Sequence, residues 1–209
     1  EYIFRGCSSL ERVDLSGLNT ATIKKMQGMF LYCEALTDIT FGENFNTSLV
    51  TNMQSMFGEC KKLTSLDVSG FDTSNVTNMC LMFSNCNSLQ NINFGEKFNT
   101  SLVTNMTFMF SGCEKLTNLD LSGFDTSNVT TMQTMFRGCS SLTTLDLSNF
   151  NTKKVSEMNL MFNGCSALKS ITFGENFDTT NVILLNSMFQ GCSSLESLDV
   201  SNFNTSKAT

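Results

Sequence analysis

Nine cysteines carry the most reactive side chains of this chain, and eight of them form a regular series. The members of the series stand 26 or 27 residues apart, at Cys7, Cys33, Cys60, Cys86, Cys113, Cys139, Cys165 and Cys192. Thiols and thioethers are ligands for soft metals, and thiols respond to oxidants. A stack of cysteines with the 13 methionines of the chain could therefore form a metal- or redox-responsive array.

The spacing of these cysteines favours a structural role. Zinc sites use clustered C-x-x-C pairs, which the sequence lacks. Equivalent side chains that point in parallel into a core also have poor geometry for disulfides. We therefore predict that the series consists of small buried hydrophobic residues. Cys80 lies outside the series, and we expect it on the flank of a helix as the one reactive thiol.

A second recurring set of side chains is polar and suits ligand binding. Its members stand between two apolar positions of a predicted strand, so we expect them on the solvent side of a sheet. They are Asp14, Thr40, Asp67, Asn93, Asp120, Asp146, Thr172 and Asp199. Solenoid proteins commonly bind partners on such a repeated face. We call this set the polar row and predict that it is a ligand platform.

Two alternatives stay open for the polar row. Its carboxylates and neighbouring serines could simply satisfy local turns on a solvated sheet. Carboxylates a few ångström apart could also hold Ca²⁺. However, the glycine- and aspartate-rich calcium repeat of parallel β-helices is missing. We predict no resident metal and no cofactor.

Composition excludes several classes of function. The chain of 209 residues has no histidine, no Gly-rich phosphate loop after a strand and no insertion that breaks its repeat, so we predict that it is not an enzyme. Its formal net charge of −6, with only 13 Lys+Arg, disfavours binding to nucleic acid. No apolar run reaches the length of a membrane-spanning helix, so we do not expect membrane insertion.

The elements that position these residues are repeated with the same period. In the unit from Leu116 to Cys139, Leu119 and Leu121 alternate with polar residues, as in a half-buried strand. Val129, Met132, Met135 and Phe136 follow at the spacing of one helix face, which predicts a short helix. Eight strands are predicted, starting near Leu10, Leu36, Leu63, Leu89, Leu116, Leu142, Leu168 and Leu195.

Two further columns are assigned to the helix ends. Gly138 and its equivalents, including Asn85, suit a left-handed residue that ends a helix. A threonine precedes each predicted helix, where its hydroxyl is expected to cap free N–H groups. These threonines are Thr20, Thr47, Thr73, Thr100, Thr126, Thr152, Thr179 and Thr205.

The unit occurs in two versions, which explains the two intervals. The short version reads LDLSGFDTSNVTTM from Leu119, and the long version reads ITFGENFNTSLVTNM from Ile39, with relatives from Ile92 and Ile171. The long version adds one residue in its Gly-Glu turn. Each unit has about nine apolar residues that it cannot bury alone, so stacked units are expected to share one core.

The L-x-x-L-x-L strand resembles leucine-rich repeats. The fuller unit, C-x-S-L-x-x-L-D-L-S-x-F-D-T-S-N-V-T-x-M-x-x-M-F-x-G-C, is similar to the 26-residue repeat of BspA-type bacterial surface proteins. The resemblance covers essentially all 209 residues. It implies an extracellular module of cell-surface proteins or lipoproteins that is associated with adhesion. The first unit departs from it, with Leu18 and Ile23 in place of Phe and Val.

The predicted fold is an α/β repeat solenoid, a right-handed leucine-rich-repeat-like coil with a parallel sheet on one face and short helices on the other. Residues 1–209 are expected to form one solenoid of seven to eight repeats, as a fragment of a longer surface protein. The predicted function is non-catalytic binding and adhesion, with a host or matrix protein or another cell-surface protein as the partner. A purely structural spacer and the metal- or redox-responsive array are the alternatives.

Overall fold

The computed structural model describes residues 1–209 as a stack of coils, one for each sequence repeat. A short coil contains the short version of the unit and a long coil the long version. Six short parallel strands lie on one side of the stack. They are β1 (Arg12–Asp14), β2 (Asp38–Thr40), β3 (Ser65–Asp67), β4 (Asn91–Asn93), β5 (Thr144–Leu147) and β6 (Ser170–Phe173). A repeat solenoid is therefore confirmed.

The strands form three separate two-stranded sheets, so the prediction of eight strands in one continuous sheet was wrong. Each sheet joins a short coil to the long coil that follows it, β1 with β2, β3 with β4, and β5 with β6. Central partners are Val13 with Ile39, Leu66 with Ile92, and Leu145 with Ile171. The segments after Leu116 and Leu195 form no strand, although Leu119 and Leu121 keep the predicted alternation of burial.

A glycine explains why the coils pair. An added Cβ on Gly42 would lie 2.4 Å from the Cα of Ser16 in the preceding short coil. Gly174 is closer still, with 1.9 Å between such a Cβ and the backbone oxygen of Ser148. Real Cβ atoms do not approach backbone this closely, so only glycine fits. The glycine at the end of the strand in each long coil thereby allows close contact with the coil before it.

The structure contains no helix, and the predicted short helices are wrong. In the segment from Met53 to Cys60, the N–H groups of Met53, Ser55 and Phe57 donate to carbonyls of the next coil, at 2.9–3.0 Å. An α-helix would need the N–H of Phe57 to donate to the carbonyl of Met53. The intervening Met56 N–H closes a turn onto the Met53 carbonyl. The segment is a chain of β-turns cross-linked to its neighbours.

This turn segment supplies the longest ladder in the molecule. Single parallel bridges connect seven successive coils, in the order Lys25, Asn52, Asn78, Asn105, Thr131, Glu157 and Leu184. The side opposite the three sheets is therefore continuous, whereas the sheet side is interrupted.

Left-handed residues make the turns possible. Gly138 has φ = 73° and Asn85 has φ = 57°, so the prediction of a left-handed position in this column is confirmed, although no helix ends there. A second left-handed column includes Ser55, Leu81 and Phe108, with φ between 53° and 60°. Residues of this kind occupy the third position of a type II turn.

The core contains the residues that the repeat predicts. The second methionine of each pair and the phenylalanine after it are buried, and the rings of Phe30, Phe57, Phe83, Phe110 and Phe136 stack with centroids 5.5–5.8 Å apart. The prediction that these methionines and phenylalanines pack in a shared core is confirmed. The geometry that buries them is a turn segment and not a helix face.

The threonine column does not cap helices. Seven of its eight hydroxyls are buried and donate to a backbone carbonyl of the next coil at 2.7–3.0 Å. The Thr126 hydroxyl donates to the Asn151 carbonyl and also accepts the Asn151 N–H at 2.8 Å. Both hydrogen-bonding functions of a buried hydroxyl are thereby used between coils, which corrects the predicted capping role.

Candidate binding face

The polar row lies on the sheet side of the stack, and all eight of its side chains are exposed. Their exposure follows from strand geometry, because in the strands they alternate with Val, Leu and Ile side chains that are buried or half-buried against the core. The sheets bring the row together in pairs: Asp14 beside Thr40, Asp67 beside Asn93, and Asp146 beside Thr172. Asp120 and Asp199 lie on coils that form no strand.

Each aspartate of the row also supports a local turn. In Asp67, Oδ1 accepts the Ser69 N–H at 2.9 Å, and the same bond recurs in Asp14, Asp120, Asp146 and Asp199. Hydrogen bonds from the serine lower the pKa of these five carboxyl groups. The aspartates therefore stay ionised in mildly acidic solution, while one oxygen of each holds a turn.

Contacts along the row are sparse. The Asn93 amide donates to Asp67 Oδ1 at 3.2 Å, within one sheet. No group of three or more His, Cys, Asp or Glu side chains has the arrangement of a metal site. A neutral polar side chain separates most of the carboxylates of the row, and only Asp120 and Asp146 lie on successive coils.

The main feature that the sequence analysis missed is a set of three clefts in the sheet face. Each cleft opens between a long coil and the following short coil, because those two coils share no strand pairing. Their volumes are about 480, 370 and 240 Å³ in chain order. We call them clefts 1, 2 and 3. The extra residue of the long version was visible in the sequence, but its consequence for the spacing of coils was not.

The clefts have equivalent walls. Cleft 1 lies between Ile39–Glu43 and Asp67–Phe71, with Phe41 in its lining. Cleft 2 lies between the matching residues from Ile92 and from Asp120, and cleft 3 between those from Ile171 and from Asp199. Each cleft thus takes one member of the polar row from either side.

Two successive short coils give a contrasting arrangement. The space between Leu119–Ser122 and the Asp146–Asn149 segment is only about 140 Å³ and has no phenylalanine in its lining. The Asn149 amide crosses it and donates to the backbone oxygens of Leu121 at 2.9 Å and Phe124 at 2.8 Å. The Asn149 side chain therefore occupies part of the space between these two coils, where clefts 1 and 2 have Gly70 and Gly123.

The cysteine series is buried over most of its length, which confirms the packing role. Cys33, Cys60, Cys86, Cys113, Cys139 and Cys165 are buried free thiols. Each thiol is within hydrogen-bonding distance of a phenylalanine carbonyl of the preceding coil, as for Cys86 and Phe57 at 3.1 Å. Burial raises the pKa of Cys33 to about 11 and that of Cys86 to about 12. At neutral pH these thiols are protonated and unreactive.

Thiol labelling should separate the cysteines into two groups. The structure corrects the expectation that Cys80 alone reacts, because Cys7 is exposed and both Cys80 and Cys192 are half-buried. In native protein at neutral pH we expect rapid modification of Cys7 and slower modification of Cys80 and Cys192. The other six should react only after unfolding. Mass spectrometry of maleimide-treated protein measures this, and native labelling of Cys113 would contradict it.

Comparison with known protein families identifies the chain. The model of a family described as "Mycoplasma protein of unknown function, DUF285" matches residues 1–95, 89–172 and 146–209, which together span the sequence. The chain belongs to this family. The family description assigns no activity. No curated protein is significantly similar to the chain.

Two solved structures resemble this member of the family over most of its length. One is a leucine-rich cell surface protein from Faecalibacterium prausnitzii A2-165, with 17% identity, a TM-score of 0.36, and coverage of 98% of this chain and 76% of that one. The other is a leucine-rich repeat protein from Bacteroides ovatus ATCC 8483, with 18% identity, a TM-score of 0.40, and coverage of 100% and 68%. At these scores the BspA-type resemblance stays a prediction. No helix in the structure could cross a membrane.

Proposed function

We propose that residues 1–209 form a non-catalytic protein-binding module of a bacterial cell-surface protein, and that its sheet face mediates adhesion to a host or matrix protein or to another cell-surface protein. The observation that carries the proposal is the polar row, eight exposed side chains at the same position of successive coils on an interrupted face. Repeat proteins bind through such extended faces, where many modest contacts add up.

The chemistry of the face supports binding over catalysis. The chain has no histidine, and the cysteines of its core are buried with raised pKa values. The polar row contributes carboxylates that are ionised at neutral pH, together with threonine hydroxyls and one asparagine amide. These groups accept and donate hydrogen bonds to a partner but include no activated nucleophile.

A purely structural spacer is the second candidate. The observation that favours it is the turn formed by each aspartate, such as that of Asp120 Oδ1 with the Ser122 N–H at 3.0 Å. In a spacer these residues would be needed only for the fold. The two functions therefore differ in one testable respect. Removing the charge of the polar row while keeping the turns should reduce binding in an adhesion module and have no effect in a spacer.

Asparagine separates charge from turn formation, because its side-chain oxygen accepts the same N–H. We therefore expect the triple substitution Asp67→Asn, Asp120→Asn and Asp146→Asn to leave the fold intact and to reduce binding at least about tenfold. The assay counts beads coated with the protein that attach to epithelial cells and to immobilised fibronectin and collagen. Circular dichroism checks that the variant is folded.

A matched control uses three other aspartates that also accept a backbone N–H two residues ahead. Asp72, Asp125 and Asp178 form these turns beyond the sheet face. Their conversion to asparagine makes the same change in net charge and should alter attachment less than about twofold. Equal losses in both variants, or no attachment by the unmodified protein, would reject adhesion by the sheet face.

A further inference from the structure

Clefts 1, 2 and 3 are interruptions in what would otherwise be a paired sheet, and their walls carry unpaired peptide groups. The Asp38 N–H donates to Glu11 in the preceding coil and the Thr40 carbonyl accepts from Leu15 there. Successive peptide groups of a strand point to opposite sides, so those of Ile39 face cleft 1. No strand meets them, because β2 and β3 belong to different sheets.

The opposite wall has the same property. Val68 donates to the Asn93 carbonyl of the following coil at 2.9 Å, so the peptide groups of Asp67 point back into cleft 1. The same bond places the peptide groups of Ile92 toward cleft 2. A ligand in a cleft thus meets peptide N–H and C=O groups on both sides. These groups are balanced in charge and do not select its sign.

The carboxylates of the clefts favour a positively charged ligand. Glu43 and Asp67 line cleft 1, and no lysine or arginine does. Glu43 takes part in no salt bridge, and the hydrogen bonds to Asp67 from the Ser69 N–H and the Asn93 amide both use Oδ1. Cleft 2 repeats this pair as Glu96 and Asp120, whereas cleft 3 has only Asp199.

The lining below the carboxylates is apolar. Ile39 and Phe41 are half-buried, and Phe71 closes the bottom of cleft 1 with 2% of its surface exposed. An aliphatic stem with a cationic end suits this arrangement, because the stem contacts the apolar lining while the cation reaches the carboxylates. Aromatic faces add a favourable interaction with a cation.

We propose that clefts 1 and 2, and more weakly cleft 3, bind lysine or arginine side chains of an extended segment of a protein partner. This inference rests on the proposed function, since it names the chemistry of the partner that the sheet face would bind. An ammonium or guanidinium group donates to Asp67 Oδ2 and Glu43 and to the Ile39 carbonyl. Lysine supplies three donors and arginine five, which matches a site rich in acceptors.

The separation of the clefts also fits an extended chain. Phe41 and Phe94 occupy the same position two coils apart, and Phe94 and Phe173 three coils apart. At the usual spacing of paired strands two coils span roughly 10 Å, which is the smallest separation expected for clefts 1 and 2. A polypeptide in polyproline II conformation rises ~9 Å over three residues and returns to the same side. Basic residues three positions apart would therefore reach clefts 1 and 2 together, whereas cleft 3 lies one coil farther from cleft 2.

The test uses a fluorescein-labelled peptide of four Lys-Ser-Ser triplets and measures its fluorescence anisotropy with the full chain. We expect saturable binding of the peptide to the unmodified protein. Removal of the cleft charges should weaken the affinity at least about tenfold, because charge-assisted hydrogen bonds are lost. The cleft variant carries Glu43→Gln, Asp67→Asn, Glu96→Gln and Asp120→Asn. These changes keep the shape of each side chain and the turns that the aspartates form.

The control variant removes the same number of charges from glutamates outside the clefts. It carries Glu11→Gln, Glu114→Gln, Glu157→Gln and Glu196→Gln. We expect its affinity for the peptide to fall less than about twofold. Equal weakening in both variants would show attraction to net charge alone and overturn the proposal. So would absence of binding, equal binding of a peptide of Glu-Ser-Ser triplets, or displacement of the lysine peptide by Ca²⁺ at about 1 mM.

This result is independent of the attachment assay. Peptide binding could be lost in both variants while bead attachment still depends on the polar row. That result would overturn the binding of lysine or arginine side chains in the clefts and leave the proposed adhesion standing. Cleft-dependent peptide binding without bead attachment would support the clefts and reject adhesion to the surfaces tested.

Discussion

Phe110→Ala is expected to lower the free energy of unfolding by about 3–5 kcal/mol, the usual cost of emptying a phenylalanine site in a core. Phe110 has no exposed surface and stacks on Phe83 at 5.5 Å and on Phe136 at 5.7 Å. Its loss removes contacts at two coil interfaces at once. Urea unfolding followed by circular dichroism measures the change.

Phe108 provides the control two residues earlier in the same turn segment. It is half-buried, has a φ of 58° and makes no ring stack. Phe108→Ala should cost about 1 kcal/mol or less, since little buried surface is lost. Similar unfolding midpoints for the two variants would contradict the assignment of the Phe110 stack as the centre of the core.

Gly174→Ala is expected to destabilise the protein by about 3 kcal/mol or more, because the new methyl group must displace backbone rather than a flexible side chain. An added Cβ would lie 1.9 Å from the Ser148 carbonyl oxygen. The strain falls at the end of the pairing between β5 and β6, where Leu147 lies beside Phe173. Chemical unfolding and loss of β-sheet signal in circular dichroism measure the effect.

Gly123→Ala is the matched control, since an added Cβ at Gly123 meets nothing within 4 Å and its φ is not in the left-handed region. Alanine restricts the unfolded chain, so this variant should be unchanged or more stable by about 0.5 kcal/mol. If Gly174→Ala were equally harmless, close approach of the glycine could not be the reason that coils pair.

The sequence predicted which residues are buried better than it predicted their backbone. Val129, Met132, Met135 and Phe136 have the spacing of a helix face, and all four are buried. A chain of β-turns buries the same positions, so periodicity alone does not distinguish the two. The decision depends on where the N–H groups donate, and here they reach the next coil. Ser55 and Leu81 lie inside the predicted helices and have left-handed backbone conformations. A glycine at these positions would have indicated such a conformation in the sequence, but serine and leucine do not.

The candidate site was predictable only in part, because the sequence indicates which side chains are exposed but not how far apart the coils lie. Alternation along the strands predicts that Asp67 and Asp146 are exposed, and they are. The clefts depend on a contact between repeats, the approach of Gly42 to Ser16. A repeat pattern describes what each coil buries but not the unequal distances between coils. The extra residue beside Gly42 marks the place without indicating that a cleft opens there.

The hydrogen bonds of the threonine column have a mechanical consequence. They run from each coil to the next, as from Thr126 to Asn151, and therefore lie along the direction in which the coils stack. Tension applied between the two ends of the stack would load them in series and detach one coil at a time. A detached coil of about 26 residues extends to about 90 Å, against the ~5 Å that it occupied in the stack. The molecule would then lengthen in steps under load, with each coil yielding separately.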